Sequence, residues 1–165
     1  MRVAVLSDIH ANLTALDAVV ADIRMHAPDA VVVGGDLVGS GSRPAEVIDR
    51  IREIDWPVIQ GNSDEMLWNA ARSLNARVVI YGHIHTSFVR PMTVMDVANC
   101  GSVSLSYDGD PRAAYALVDG SQIAIRRVQY DIDEEIRELH ARRCPDAGWT
   151  AATLLAAVPQ PLTAR

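Results

Sequence analysis

Four short strings place oxygen and imidazole donors directly behind apolar runs: Asp8-Ile9-His10, Gly35-Asp36, Gly61-Asn62 and Gly82-His83-Ile84-His85. Together they hold two aspartates, one asparagine and three histidines, with no thiolate among them. Such a donor set suits two divalent ions of the Mn, Fe, Zn or Ni kind, with room left for a water. Water activated between two ions is a reagent for phosphoester hydrolysis, and that is the chemistry these residue types suggest. Each string alone carries little. An Asp behind a strand is more often a helix cap, and Gly-Asp or Gly-Asn is more often a turn. Their recurrence in order, each closing an apolar run, is the informative feature. On extended backbone Asp8 and His10 would project to one side, as would His83 and His85.

The elements that must position these strings follow from hydrophobic periodicity. Residues 3–6 and 30–33 are continuous, β-branched apolar runs, which read as strands buried on both faces. Residues 12–25 carry Leu13, Leu16, Val20 and Ile23 at helical spacing. Ser42 and Pro44 mark a second helix start, with Val47, Ile48, Ile51 and Ile54 as its apolar stripe. Residues 57–59 form a third short strand and residues 75–81 a fourth. Strand and helix alternate through the first three units, which implies right-handed crossovers onto a parallel sheet. Beyond His85 the texture changes. Residues 87–90, 94–98, 113–118 and 123–130 are short strands between Gly, Asp and Pro turns, and read as a second, mostly antiparallel sheet. From residue 131 the helical period returns, is broken at Pro145 and Gly148, and resumes over 149–158. The expected fold class is α/β, a two-sheet sandwich flanked by helices. It forms one domain over 1–158, with the 131–158 helices packed on it and 159–165 a loose tail.

Composition bounds the function. A chain of 165 residues is about one domain, and its 49% hydrophobic and 22% charged residues are ordinary for a globular protein. The net charge of −6 argues against a nucleic-acid partner bound by phosphate neutralisation. Metal at a carboxylate cluster would offset that charge locally, so a phosphate-bearing small molecule is still admitted. Cys100 and Cys144 have no paired spacing, which points away from disulfides and towards a reducing cytoplasm. No apolar run is long enough to span a bilayer, and the apolar run before Ser7-Asp8 is too short for a signal peptide. His26 and His140 read as surface or helix-end residues.

The order D-x-H, G-D, G-N-x-D, G-H-x-H resembles the calcineurin-like metallophosphoesterase family. The phrases SDIHANLTAL, GGDLVGSG, NCGSV and YDGDPRAAYALVDG are similar to its bacterial phosphodiesterase branch. The resemblance runs from Met1 to about Trp149. It implies a two-sheet sandwich with helices outside and two metals bridged by an Asp and a hydroxide. Carried over by position, Asp8, His10, Asp36 and His85 would hold one ion, and Asp36, Asn62 and His83 the other. Asn62 would also steady the charge on the phosphoryl oxygens. The implied reaction is hydrolysis of phosphodiesters or activated monoesters by a dimetal-bound hydroxide, with manganese among the candidate metals.

Two departures from that pattern bear on activity. Many relatives have a His behind G-N, paired with Asp, that protonates the leaving alcohol. Here Ser63 stands in its place with Asp64 behind it, so Asp64 is the remaining candidate acid and turnover of poor leaving groups should fall by about 10²–10⁴. Relatives also carry several tens of residues between G-N-x-D and G-H-x-H, including a further His ligand. Only residues 65–81 separate the two strings here, an apparent internal shortening. The second ion would lose an imidazole, and an exposed apolar edge could be covered by a homodimer. The rival expectations are a non-catalytic scaffold on the same fold and a shortened form with poor turnover.

Overall fold

The computed structural model describes residues 1–59, 77–91, 93 and 96–161. Among them the order of elements is β1 (Arg2–Leu6), α1 (Leu13–His26), β2 (Ala30–Val33), α2 (Pro44–Ile54), β3 (Val78–Tyr81), β4 (Phe88–Arg90), β5 (Asp96–Asn99), β6 (Ala113–Asp119), β7 (Gln122–Val128), α3 (Ile132–Ala141) and α4 (Ala147–Ala156). The strings Gly61-Asn62 and Ser63-Asp64 lie in residues 60–76, outside the described residues.

Two sheets carry these strands, and helices flank them. The larger has the order β2-β1-β6-β7 and the smaller β3-β5-β4. β1 runs parallel to β2, in register from Val3 opposite Ala30 to Leu6 opposite Val33, as the alternating pattern requires. Two expectations are corrected. The stretch 57–59 makes an isolated bridge between Val58 and Val33 and no full strand, because only Pro57 O and Ile59 N reach Val33. β6 and β7 do not join the second sheet. β6 lies antiparallel to β1, and β7 to β6, so they extend the first one. The reason is legible in β6 itself. Ala113, Ala114, Tyr115 and Ala116 are all fully buried, and a strand with no polar face belongs at a sheet's centre.

Three cores hold the layers together. The largest joins Leu6, Val31 and Val33 of the sheet to Leu16, Val19, Val20 and Ile23 of α1 and to Val47 and Ile51 of α2. Its Tyr115 is fully buried, and its hydroxyl donates to Asp22 of α1 at 2.9 Å. A second, smaller core joins Val79 and Val97 of the three-stranded sheet. The third seats α3 and α4 through Leu139 and Leu154 against Leu105. α1 starts where its cap allows: Asn12 Oδ1 accepts from the Ala15 N–H at 2.9 Å, one residue past the Asp8–Ala11 loop. Asp131 caps α3 in the same way through the Glu134 N–H. Cys100 and Cys144 are both free.

Candidate metal centre

β1 and β3 end at a shared crevice, and the loops that leave them carry the candidate ligands. The expectation of extended backbone at these positions fails. Asp8, His10, Asp36, His83 and His85 all have positive φ, at 58°, 47°, 49°, 74° and 57°. Left-handed backbone is uncommon for residues with a Cβ and concentrates at sites that need it. The loops therefore curl, and bring Asp8, His10 and His85 together rather than presenting them along a straight strand. Backbone bonds hold the curl: Asp8 N–H donates to Gly35 O, His10 N–H to Asp36 O and Ala11 N–H to Leu37 O, at 3.3, 3.0 and 2.9 Å.

Asp8, His10 and His85 meet, with one donor atom from each lying within 4.8 Å of the others. His85 Nε2 stands 3.0 Å from Asp8 Oδ1 and 3.1 Å from His10 Nε2, and His10 Nε2 is 3.9 Å from the same oxygen. The His85 tautomer follows from its other nitrogen. Nδ1 donates to Leu105 O at 2.6 Å, which leaves Nε2 as the nitrogen that faces the carboxylate. Asp8 is 0% exposed, and its Oδ1 is a buried oxygen without a hydrogen-bond donor. A carboxylate oxygen and two imidazole nitrogens thus converge, a donor set that fits a divalent cation. Burial pushes the Asp8 carboxyl up, but the His85 imidazole and the His83 N–H outweigh it and hold it below the usual carboxylate range. Burial, then the neighbouring His85, lowers His10 below the usual imidazole range. An ionised carboxylate and a neutral imidazole are the forms that bind metal.

Asp36 and His83 border this cluster without joining it. Asp36 is near enough to act on His10 through its charge. His83 is exposed, and its N–H donates to Asp8 Oδ2 at 2.9 Å. Gly82 makes that approach possible, since a Cβ there would fall 2.3 Å from both Asp8 Oδ2 and Ser7 Oγ. Asn62 and Asp64 fall outside the described residues. His26 pairs with Asp22 at 3.6 Å and His140 is exposed at the end of α3, both away from the cluster.

The segment from Asn99 to Asp108 supplies support that was not read from the sequence. Asn99, fully buried, donates from Nδ2 to Gly82 O at 2.6 Å. Ser102 Oγ and the Ser104 N–H both donate to Asp8 O, at 2.9 and 3.2 Å, and Asn12 Nδ2 donates to Ser104 Oγ at 3.2 Å. Tyr107 stacks on the His85 ring, centroids 4.7 Å apart, while its N–H donates to His85 O at 2.9 Å. Burial and the Asp8 charge push the Tyr107 phenol up, so it stays protonated. The available signal was the run of small polar residues in Asn99-Cys100-Gly101-Ser102-Val103-Ser104. Such a run is too polar for a core unless its groups pair with backbone.

The description "calcineurin-like phosphoesterase" fits a family model that matches residues 1–74. An uncharacterised protein of Methanocaldococcus jannaschii, MJ0912, is 42% identical over 62 residues, which is 38% of this chain but 26% of that protein. This chain therefore spans about a quarter of the length of that relative. The fold is shared with a metallophosphoesterase from Sphaerobacter thermophilus at a TM-score of 0.77 and 20% identity, covering 96% of this chain and all of the other. It is shared also with a structure described as a novel archaeal phosphodiesterase, at a TM-score of 0.61 and 17% identity, covering 78% of this chain and 100% of the other. The α/β class expected from the family pattern is thus met by the two sheets, their flanking helices and these neighbours.

Proposed function

We propose that this protein hydrolyses small phosphoesters, phosphodiesters or activated monoesters, with two divalent ions held in the crevice between its sheets. The observation that carries the reading is the buried, donorless Asp8 Oδ1 facing His10 Nε2 and His85 Nε2. Asp8, His10 and His85 would hold one ion with Asp36 beside them, and Asp36, His83 and Asn62 the other. When bound, the ions supply Lewis acidity and a water of lowered pKa. The chain's own residues do the rest. Leu105 O accepts from His85 Nδ1 and so keeps Nε2 facing Asp8, and Ser102 and Ser104 fix the Asp8 backbone. Tyr107 covers one face of His85, and its protonated phenol can donate a hydrogen bond towards an anionic oxygen. Asp64 would hold the proton destined for the leaving alcohol in place of the missing imidazole, with Asn62 steadying the phosphoryl group. A cytoplasmic location fits the free cysteines, and a homodimer would cover an exposed edge.

Elemental analysis together with hydrolysis of an aryl phosphodiester and an aryl monoester tests this reading. Mn²⁺, Ni²⁺, Zn²⁺ and Fe²⁺ would each be supplied in turn. Two ions per chain and turnover abolished by Asp36→Asn are expected. Bound metal without turnover under any of these ions would replace the enzyme with a scaffold that keeps its metal, and less than one ion per chain would remove both.

A further inference from the structure

The candidate ligands come from both sheets: Asp8 and His10 follow β1 of the larger one, and His85 follows β3 of the smaller. Their separation therefore depends on how firmly the two sheets are joined near the crevice. One joint is a cluster around Asp108. Its Oδ2 accepts from the Ser87 N–H at 3.0 Å and the Ser87 hydroxyl at 2.8 Å, and Oδ1 accepts from the Ser106 hydroxyl at 2.8 Å. The Arg127 guanidinium bonds the same Oδ2 and also Ser87 Oγ. Arg127 lies on β7 of the larger sheet, and Ser87 immediately precedes β4 of the smaller one. Both strand systems are thereby tied through one carboxylate. Ser87 is two residues beyond His85. Asp108 directly follows Tyr107 and lies three residues beyond Leu105, the two residues that orient the His85 ring. Asp108 touches none of the candidate ligand atoms.

We propose that Asp108 is a positioning residue, which bolts the two sheets together beside the crevice and thereby sets the metal affinity of the Asp8–His10–His85 cluster. This rests on the reading of that cluster as a metal site. The carboxylate is suited to the task because it accepts from two segments and a strand at once, which a hydroxyl or amide could not do with equal charge complementarity. Groups that orient metal ligands in this way alter affinity by about 10–100-fold when removed.

The test is competition for Zn²⁺ between a chromophoric chelator and the full chain, for wild type, Asp108→Ala, Ser87→Ala and Asp119→Ala. Melting in EDTA serves as the check on folding. Asp108→Ala is expected to weaken Zn²⁺ binding by about 10–100-fold and Ser87→Ala by a smaller factor, while Asp119→Ala stays within about twofold. The last variant removes an ion pair with Arg2 at the opposite end of β1, so it reports general loosening. Should Asp108→Ala fail to fold, Ser87→Ala decides alone. Wild-type affinity in both site variants, or an equal loss in Asp119→Ala, would overturn the role of Asp108. A wild-type chain that binds no Zn²⁺ would instead overturn the metal-site reading beneath it.

Discussion

Replacing Asp8 by Asn should abolish the protein's response to metal. Asp8 is fully buried and its Oδ1 has no donor, while His85 Nε2 stands 3.0 Å away. Leaving a buried polar atom unpaired costs about 1–3 kcal/mol, and more when it is charged. Asparagine keeps the shape and removes the charge that a cation would meet. Oδ1 of the amide can still accept from the His83 N–H, as Asp8 Oδ2 does at 2.9 Å. For a domain of this size one kcal/mol moves Tm by about 2–4 °C. With metal at 100 times its Kd the wild type should gain about 2.7 kcal/mol, or about 5–11 °C, and the variant nothing. The assay is a pair of thermal melts for each protein, with EDTA and with Mn²⁺ or Zn²⁺. A variant that gains as much from metal as the wild type would refute the picture of Asp8 as an anionic metal ligand.

Gly82→Ala would put a methyl 2.3 Å from Asp8 Oδ2 and Ser7 Oγ, so metal affinity by titration should fall by at least about tenfold. Native protein should offer one thiol to an aromatic disulfide reagent and two in denaturant, because burial pushes the Cys100 thiol up to about 12 while Cys144 is only half-buried. Burial pushes the Asp108 carboxyl up, but Arg127 and Ser87 outweigh it and hold it well below the usual carboxylate range. Its contribution to stability is therefore present above about pH 4 and lost as pH falls through the lower folded value. The wild-type melting temperature should drop more steeply than that of Asp108→Asn between about pH 4 and pH 2.

What could be read from the sequence was local. Apolar runs gave β1 and β2, helical spacing gave α1 and α2, and donors behind the runs gave the crevice. Pairing between distant strands was not local, and there the reading failed. β6 was assigned to the second sheet because it follows the strands of that sheet in order. Only burial on both its faces, through Ala113, Ala114, Tyr115 and Ala116, identifies it as a partner of β1. The Asn99–Asp108 support was missed for a related reason. Serine and asparagine read as loop formers until their partners are known, and those partners sit some 15 to 100 residues away, at Gly82 O, Ser87 and Asp8 O.

The backbone of the candidate site bears on how metal and folding are coupled. Five candidate ligands in left-handed backbone would cost about 1–3 kcal/mol each if all were strained, which approaches the whole net stability of a domain. Such a site survives without metal only if protein groups over-determine it. They do so here: Gly35, Asp36 and Leu37 carbonyls hold the Asp8–Ala11 loop, Ser102 and Ser104 hold Asp8 O, Asn99 holds Gly82, and Tyr107 holds His85. The curl is thus set by hydrogen bonds between protein groups. What remains for a cation to satisfy is charge, at Asp8 Oδ1, rather than shape. Metal should accordingly raise the melting temperature by an amount that tracks ligand saturation while the far-ultraviolet circular dichroism of the metal-free protein stays that of the folded chain. An unfolded metal-free state would mean that the hydrogen bonds around the crevice are too weak to hold five left-handed residues without the ion.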